Sequence, residues 1–223
     1  MQDAAPTFDQ LIAIPGGLAW LACYLLILRR AALDRAPGMP LVALSANIAW
    51  EFIFGFLDPD EPPMDTINQI WFLVDVVLVW QALRYGRAEF ESRWPRGSYF
   101  PAVLLSLVLA AGVVLGVHLE FGDDDGRYTA WGGNLLMSAL FIQMLLQRGS
   151  SAGQSVWIAL SKLVGTLCFD LAQFTKTPSW PVEGGLGPLM TVLYLGCLVL
   201  DALYLWLLVR QLKAEGRSPW RRL

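Results

Sequence analysis

One carboxylate stands in a stretch with the apolar content of a membrane-spanning helix. It is Glu51, in the run Ser45-Ala46-Asn47-Ile48-Ala49-Trp50-Glu51-Phe52-Ile53-Phe54. An acid at the centre of a membrane helix costs about 2.5–3.5 kcal/mol on insertion scales, so it needs a partner and a reason to be kept. Asn47 lies four residues earlier and shares its helix face. The pattern recurs along the chain. Trp71 and Asp75 are four apart, and Trp131, Asn134 and Ser138 fall at offsets of three and seven. Lys162, Thr166 and Asp170 are spaced by four, and Asp201 stands among Tyr194, Cys197 and Tyr204. Four intramembrane carboxyls, Glu51, Asp75, Asp170 and Asp201, are thus set against one intramembrane base, Lys162. Exposed to lipid they would cost on the order of 10 kcal/mol, so they are expected to face the interior of a bundle.

The chemistry open to such a set is acid chemistry. A carboxyl among apolar walls holds its proton more tightly than one in water, and a second carboxylate nearby reinforces this. An acid that keeps its proton at neutral pH suits donation to a poor base such as an alkene or an epoxide. Aromatic faces stabilise a cation that has no counter-ion, and a membrane pocket excludes the water that would quench a carbocation. Acid, aromatics and dryness fit protonation-initiated cyclisation of an isoprenoid chain. They also fit a proton relay, and composition alone does not choose between the two.

The elements that must position these residues are membrane helices. Of 223 residues, 56% are hydrophobic and only 16% charged, against about 25% charged in soluble domains; mean hydropathy is +0.49. Seven apolar segments are read, at Ile14–Leu28, Met39–Leu57, Asn68–Leu83, Tyr99–His118, Tyr128–Leu146, Gln154–Phe174 and Pro188–Val209. The first and third are short and need their flanks to span, Pro15-Gly16-Gly17 loosens the start of the first, and the fourth carries no chemistry and reads as lipid-facing support. Strand alternation is absent, which argues against a β-barrel. Thirteen of the sixteen Lys and Arg residues fall in the segments that would face the cytoplasm if the N-terminus is outside. The expected fold is therefore an all-α membrane protein: one domain, residues 1–223, a seven-transmembrane-helix bundle, N-terminus out and C-terminus in. The N-terminus lacks the basic flank of a cleavable signal. The net charge of −3 points to no nucleic acid. Cys23, Cys168 and Cys197 lie in spans at spacings that fit no metal site and read as reduced packing residues. On this topology the polar residues line a pocket opening toward the outer leaflet and walled by Trp and Phe.

Taken together, Asn47-x-x-Trp50-Glu51, Trp71-x-x-x-Asp75, Tyr85-Gly86 with Glu89, Trp131 and Asn134 before Leu-Met-Ser, Lys162-x-x-Gly165-Thr166 and Val199-Leu200-Asp201-x-x-Tyr204 resemble the signature of the small integral-membrane terpene cyclases. These act in fungal meroterpenoid and indole-terpenoid pathways of pyripyropene and paxilline type and have bacterial relatives. No single motif is specific; the ordered set, from the second span to the seventh, is. The resemblance implies a terpene cyclase that protonates a terminal olefin or epoxide of a prenylated aromatic or heterocyclic compound, such as a farnesylated indole. The reaction would be non-redox, with no cofactor and no metal, because no diphosphate leaves. By the same resemblance Glu51 is the proton donor and Asp201 its partner or co-acid. Asn47, Trp50, Trp71, Asp75, Trp131, Asn134 and Tyr204 are expected at the substrate, with Lys162, Thr166 and Asp170 behind them. The Ala/Leu/Arg-heavy composition favours a bacterial cytoplasmic membrane, with the endoplasmic reticulum the location if the source is fungal.

Each feature has a plainer reading. Asp75 can be a helix–helix polar contact. Asp170 can simply pair with Lys162 or Thr166. Tryptophans are common in interfacial belts. His118 ends the fourth segment and reads as interfacial. Asp123-Asp124-Asp125 invites comparison with a diphosphate-binding motif, but flanking Gly122 and Gly126 make it a solvated acidic turn. The acidic, Pro-rich stretch 58–65 reads the same way. The main alternative function is a proton-coupled transporter or channel; it would call for paired repeats with broken helices, and the sequence has neither. A retinal protein needs a Lys in the last span, where this chain has Asp201.

Overall fold

The computed structural model describes residues 7–59, 64–176 and 187–223. Among these there is no strand, and the order is α1 (Phe8–Asp34), α2 (Leu41–Phe52) running into a π-helical segment (Ile53–Leu57), α3 (Met64–Glu91), α4 (Tyr99–Phe121), α5 (Arg127–Arg148), α6 (Val156–Lys176), α7 (Pro188–Ala214) and a terminal 3-10 turn (Pro219–Arg221). In lipid every backbone polar group must be satisfied within the chain, which is why apolar runs of this length become helices. Six of the helices are long and apolar enough to cross a membrane. The exception is Leu41–Leu57, whose 17 residues span about 25 Å, against about 30 Å of hydrocarbon. Pro40 starts it and Asp58-Pro59 stop it. The two segments read as short, the first and third, lie in helices of 27 and 28 residues, because the helices continue past their apolar cores. Part of the acidic stretch, residues 60–63, lies outside the described residues.

Helices α1 and α6 pack antiparallel and closest. A Cβ at Gly16 would sit 3.0 Å from that of Cys168, and one at Gly165 would strike the Trp20 indole at 2.6 Å. Cys23 Sγ donates to the Ile158 carbonyl at 3.6 Å. The start of α1 is thus not loosened by Gly16 and Gly17; Pro15 is carried inside a continuous helix, and Gly16 is what admits α6. Helix α4 leaves Leu104, Leu105, Val108, Leu109 and Val113 exposed, as a lipid-facing helix should.

Polar contacts gather at the two ends of the bundle. At the basic end, Arg148 pairs with Glu89 at 2.7 Å and donates to the Pro37 carbonyl, and Asp34 holds Arg30 and Arg222. Gly86 and Glu89, beyond the apolar segment read as far as Leu83, lie here in the last turns of α3. A cavity of about 540 Å³ opens at this end, bordered by Asp34, Glu215, Arg217 and Arg222. At the opposite, acidic end, Asp124 and Asp125 are exposed, as a solvated turn leaves them, but the first acid of the triplet is not. Asp123 is buried, and its carboxylate accepts from the Tyr128 and Thr129 amides and the Thr129 hydroxyl, capping α5. Gly122 and Gly126 on either side take φ of 63° and 58°, where a Cβ is strained. His118 joins this end to α2, with Nε2 3.1 Å from Asp58 and its ring edge-on to Phe54.

Candidate active site

Two polar clusters sit inside the bundle. The first joins α1, α2 and α3. Asn47 Nδ2 lies 2.8 Å from Glu51 Oε1, 2.8 Å from Asp75 Oδ2 and 2.7 Å from the Tyr24 hydroxyl. Tyr24 donates in turn to Glu51 Oε1 at 3.0 Å. Glu51 and Asp75 are 1% and 0% exposed. None of the ion pairs among the described residues involves either acid. Their other oxygens, Glu51 Oε2 and Asp75 Oδ1, are buried and have no hydrogen-bond partner.

The second cluster joins α5, α6 and α7. Three residues of α5 face three of α6 as rungs of a ladder: Ser138 with Lys162, Asn134 with Thr166, and Trp131 with Asp170. Asp201 of α7 closes the ladder, with Oδ1 2.6 Å from Lys162 Nζ and Oδ2 accepting from Thr166 at 3.2 Å. The ammonium also donates to Asn134 Oδ1 and lies 5.4 Å from the centre of the Trp20 ring. All three ammonium hydrogens thus have acceptors, which is what makes a buried lysine tolerable.

Asp201, expected as partner or co-acid of Glu51, has its hydrogen bonds with Lys162 and Thr166. The plainer reading of Asp170, a pairing with Lys162 or Thr166, does not hold; it takes the Trp131 indole. Residues 162 and 170 share a stripe but are separated by about 12 Å along the axis, too far to touch. The clusters are linked through α1: Trp20 lies over Lys162 and 5.8 Å from Tyr24, whose ring stands edge-on to Trp71 at 6.4 Å, and Trp71 is edge-on to Phe169 at 6.2 Å. Of the expected substrate residues, Asn47, Asp75, Trp71, Trp131 and Asn134 fall in these clusters. Trp50 turns away, donating to the Gly126 carbonyl at 3.0 Å and packing on Phe54. Tyr204 is fully buried against Phe141. The acids are covered by side chains rather than open to the outer face. Tyr24 and Trp20 were missed by sequence reasoning; the offset of four between them is the signal that was there to use.

The family described as Pyr4-like transmembrane terpene cyclases matches residues 2–213. The chain belongs to this family. It is thus a transmembrane terpene cyclase, and its similarity to curated proteins agrees. It is 29% identical to the Pyr4-family terpene cyclase mfmH of Annulohypoxylon moriforme, over 72% of this chain and 67% of that one. It is 34% identical to terpene cyclase olcD of Penicillium canescens, over 73% and 67%. It is 27% identical to terpene cyclase pyr4 of Aspergillus fumigatus, over 91% and 86%. No solved structure matches the chain. These relatives are fungal, which fits the endoplasmic reticulum and lends no support to a bacterial membrane.

Proposed function

We propose that this cyclase protonates the terminal olefin or epoxide of a prenylated aromatic or heterocyclic substrate at Glu51 and closes rings through carbocations, without metal or redox chemistry. The observation that carries the reading is the asymmetry of the Glu51 carboxyl. Oε1 receives both Tyr24 and Asn47, whereas Oε2 has no partner. Two carboxyls bridged by one amide, with no cation paired to either, do not both ionise. The Glu51 and Asp75 carboxyls are also hydrogen-bonded to each other, so one proton is held by the pair, and Glu51 Oε2 is the oxygen left over to face a substrate. After transfer, the two donors on Oε1 stabilise the carboxylate left behind.

Asp201 has the complementary part. Its ion pair with Lys162 suits it to opposing positive charge in the migrating cation or taking the final proton rather than supplying the first. The aromatic path Trp20–Tyr24–Trp71–Phe169 offers π faces between the two clusters. Seven spans with the N-terminus out and the C-terminus in, in the endoplasmic reticulum membrane, accord with the Arg-rich end and the fungal relatives.

The test is conversion in membranes from an expressing host fed 3-farnesylindole and its terminal epoxide. Wild type is expected to give isomers of unchanged mass, and Glu51→Gln none at equal expression. Full turnover by Glu51→Gln removes this acid from the mechanism, and a requirement for added Mg²⁺ points to diphosphate ionisation instead.

A further inference from the structure

The rungs of the α5–α6 ladder differ in how completely their polar atoms are used. Lys162 spends all three hydrogens, and Asn134 uses both ends of its amide, one toward Lys162 and the other toward Thr166. The rung nearest the acidic end is not closed. Asp170 accepts the Trp131 indole with Oδ1, while Oδ2 is buried and unpartnered. Tyr194 of α7 stands edge-on to the same indole at 5.3 Å, and its hydroxyl is likewise buried and unpartnered. Both residues are 5% exposed. A buried polar group left without a partner costs about 1–3 kcal/mol. Here two of them border one tryptophan, one an acceptor and the other able to donate.

Asp170 lies on the same α6 stripe as Lys162, and Trp20 over Lys162 leads to Tyr24 and so to Glu51. A molecule lying along that path has a polar demand at each end and an apolar wall between. That is the shape of demand a prenylated ring makes, with its reactive terminus at the acid and its ring at the opposite end.

We infer that Asp170 and Tyr194, both bordering the Trp131 indole, form the subsite for the substrate's polar ring, one that carries a hydroxyl. This rests on the reading of Glu51 as the acid. The ring hydroxyl donates to Asp170 Oδ2 and accepts from the Tyr194 hydroxyl, so that both unpartnered atoms are used. An indole N–H satisfies Asp170 alone, an aryl methyl ether can only accept from Tyr194, and an N-alkylated indole satisfies neither.

The experiment is equilibrium binding to nanodisc-embedded Glu51→Gln protein, so that no probe is consumed. The probes are a farnesylphenol, its methyl ether, 3-farnesylindole and its N-methyl derivative. The free phenol is expected to bind about 10- to 100-fold more tightly than its ether. Asp170→Asn keeps an oxygen for Trp131 and should abolish the preference in both pairs. Tyr194→Phe removes one oxygen atom and should weaken binding of the phenol and of its ether while leaving both indoles unchanged. No preference in the parent protein, a preference that survives Asp170→Asn, or a Tyr194→Phe variant indistinguishable from its parent overturns the subsite. Turnover by Glu51→Gln in the membrane assay overturns the acid instead, leaving these binding ratios to stand or fall separately.

Discussion

Replacing Lys162 by Met removes a cation from a pocket built around it. The ammonium lies 2.6 Å from Asp201 Oδ1, 2.7 Å from Ser138 Oγ and 2.8 Å from Asn134 Oδ1. Methionine matches the stem and leaves Asp201 with the Thr166 hydroxyl at 3.2 Å and no opposing charge. Removing one partner of a buried ion pair costs about 3–5 kcal/mol, most of it the burden of the bare charge left behind. Replacing both partners by neutral groups is often close to neutral, so adding Asp201→Asn should restore most of the loss. The assay is equilibrium unfolding in mixed micelles for wild type, both single variants and the double variant, a cycle that isolates the pair. Product formation is measured in parallel. Lys162→Met should be several kcal/mol less stable, and the double variant should recover stability but not activity, since the Asp201 anion is gone. A Lys162→Met protein as stable as wild type, or a double variant no more stable than the single, refutes the reasoning.

Three further outcomes rest on the same kinds of contact. Gly126→Ala puts a Cβ at φ 58°, within 2.6 Å of Phe54 and 2.8 Å of Trp50 Nε1; the conformational and steric costs sum to about 2–5 kcal/mol, and a loss under about 0.5 kcal/mol in the unfolding assay would contradict this. Tyr24→Phe takes one donor from Glu51 Oε1 and should slow turnover about tenfold with KM unchanged; wild-type kcat would take the hydroxyl out of the mechanism. Burial opposes ionisation of Glu215, beyond the end of α7, but hydrogen bonds from Ser151 and Gln211 outweigh it and hold the carboxyl below the usual range. Its contribution to stability is therefore present above the ordinary glutamate value of about 4.3 and lost as pH falls through the lowered value. Thermal unfolding against pH should show that acid limb flattened in Glu215→Gln, and an unchanged limb would refute it.

The helices could be read because apolar runs admit few structures in a membrane, and Asn47 beside Glu51 because an offset of four on one helix fixes a neighbour. Contacts between helices were harder. Lys162 has acids both on its own stripe and on α7, and periodicity says nothing of which one α7 brings within reach. Tyr24 is an aromatic residue in an apolar span, a pattern shared by any packing residue, and its hydroxyl acquires meaning only when α1 is laid against α2. Asp123 sits in an acidic, Gly-flanked triplet whose composition hides that the turn aims its carboxylate at the α5 amides. Trp50 adjoins Glu51 in the chain, yet about 100° of helical rotation between successive residues sends it to another face.

The π-helical segment just beyond Glu51 separates the acid from the connection to α3. Its wide turn closes from the Asp58 amide to the Ile53 carbonyl at 2.8 Å, and side-chain amides of α3, Asn68 and Gln69, take the Phe54 and Gly55 carbonyls. Such a turn holds one residue more than an α-helical turn. With its carbonyls held by α3, the turn fixes the stretch just past Glu51 against the same helix that supplies Asp75, so the acid is anchored to α3 from two sides.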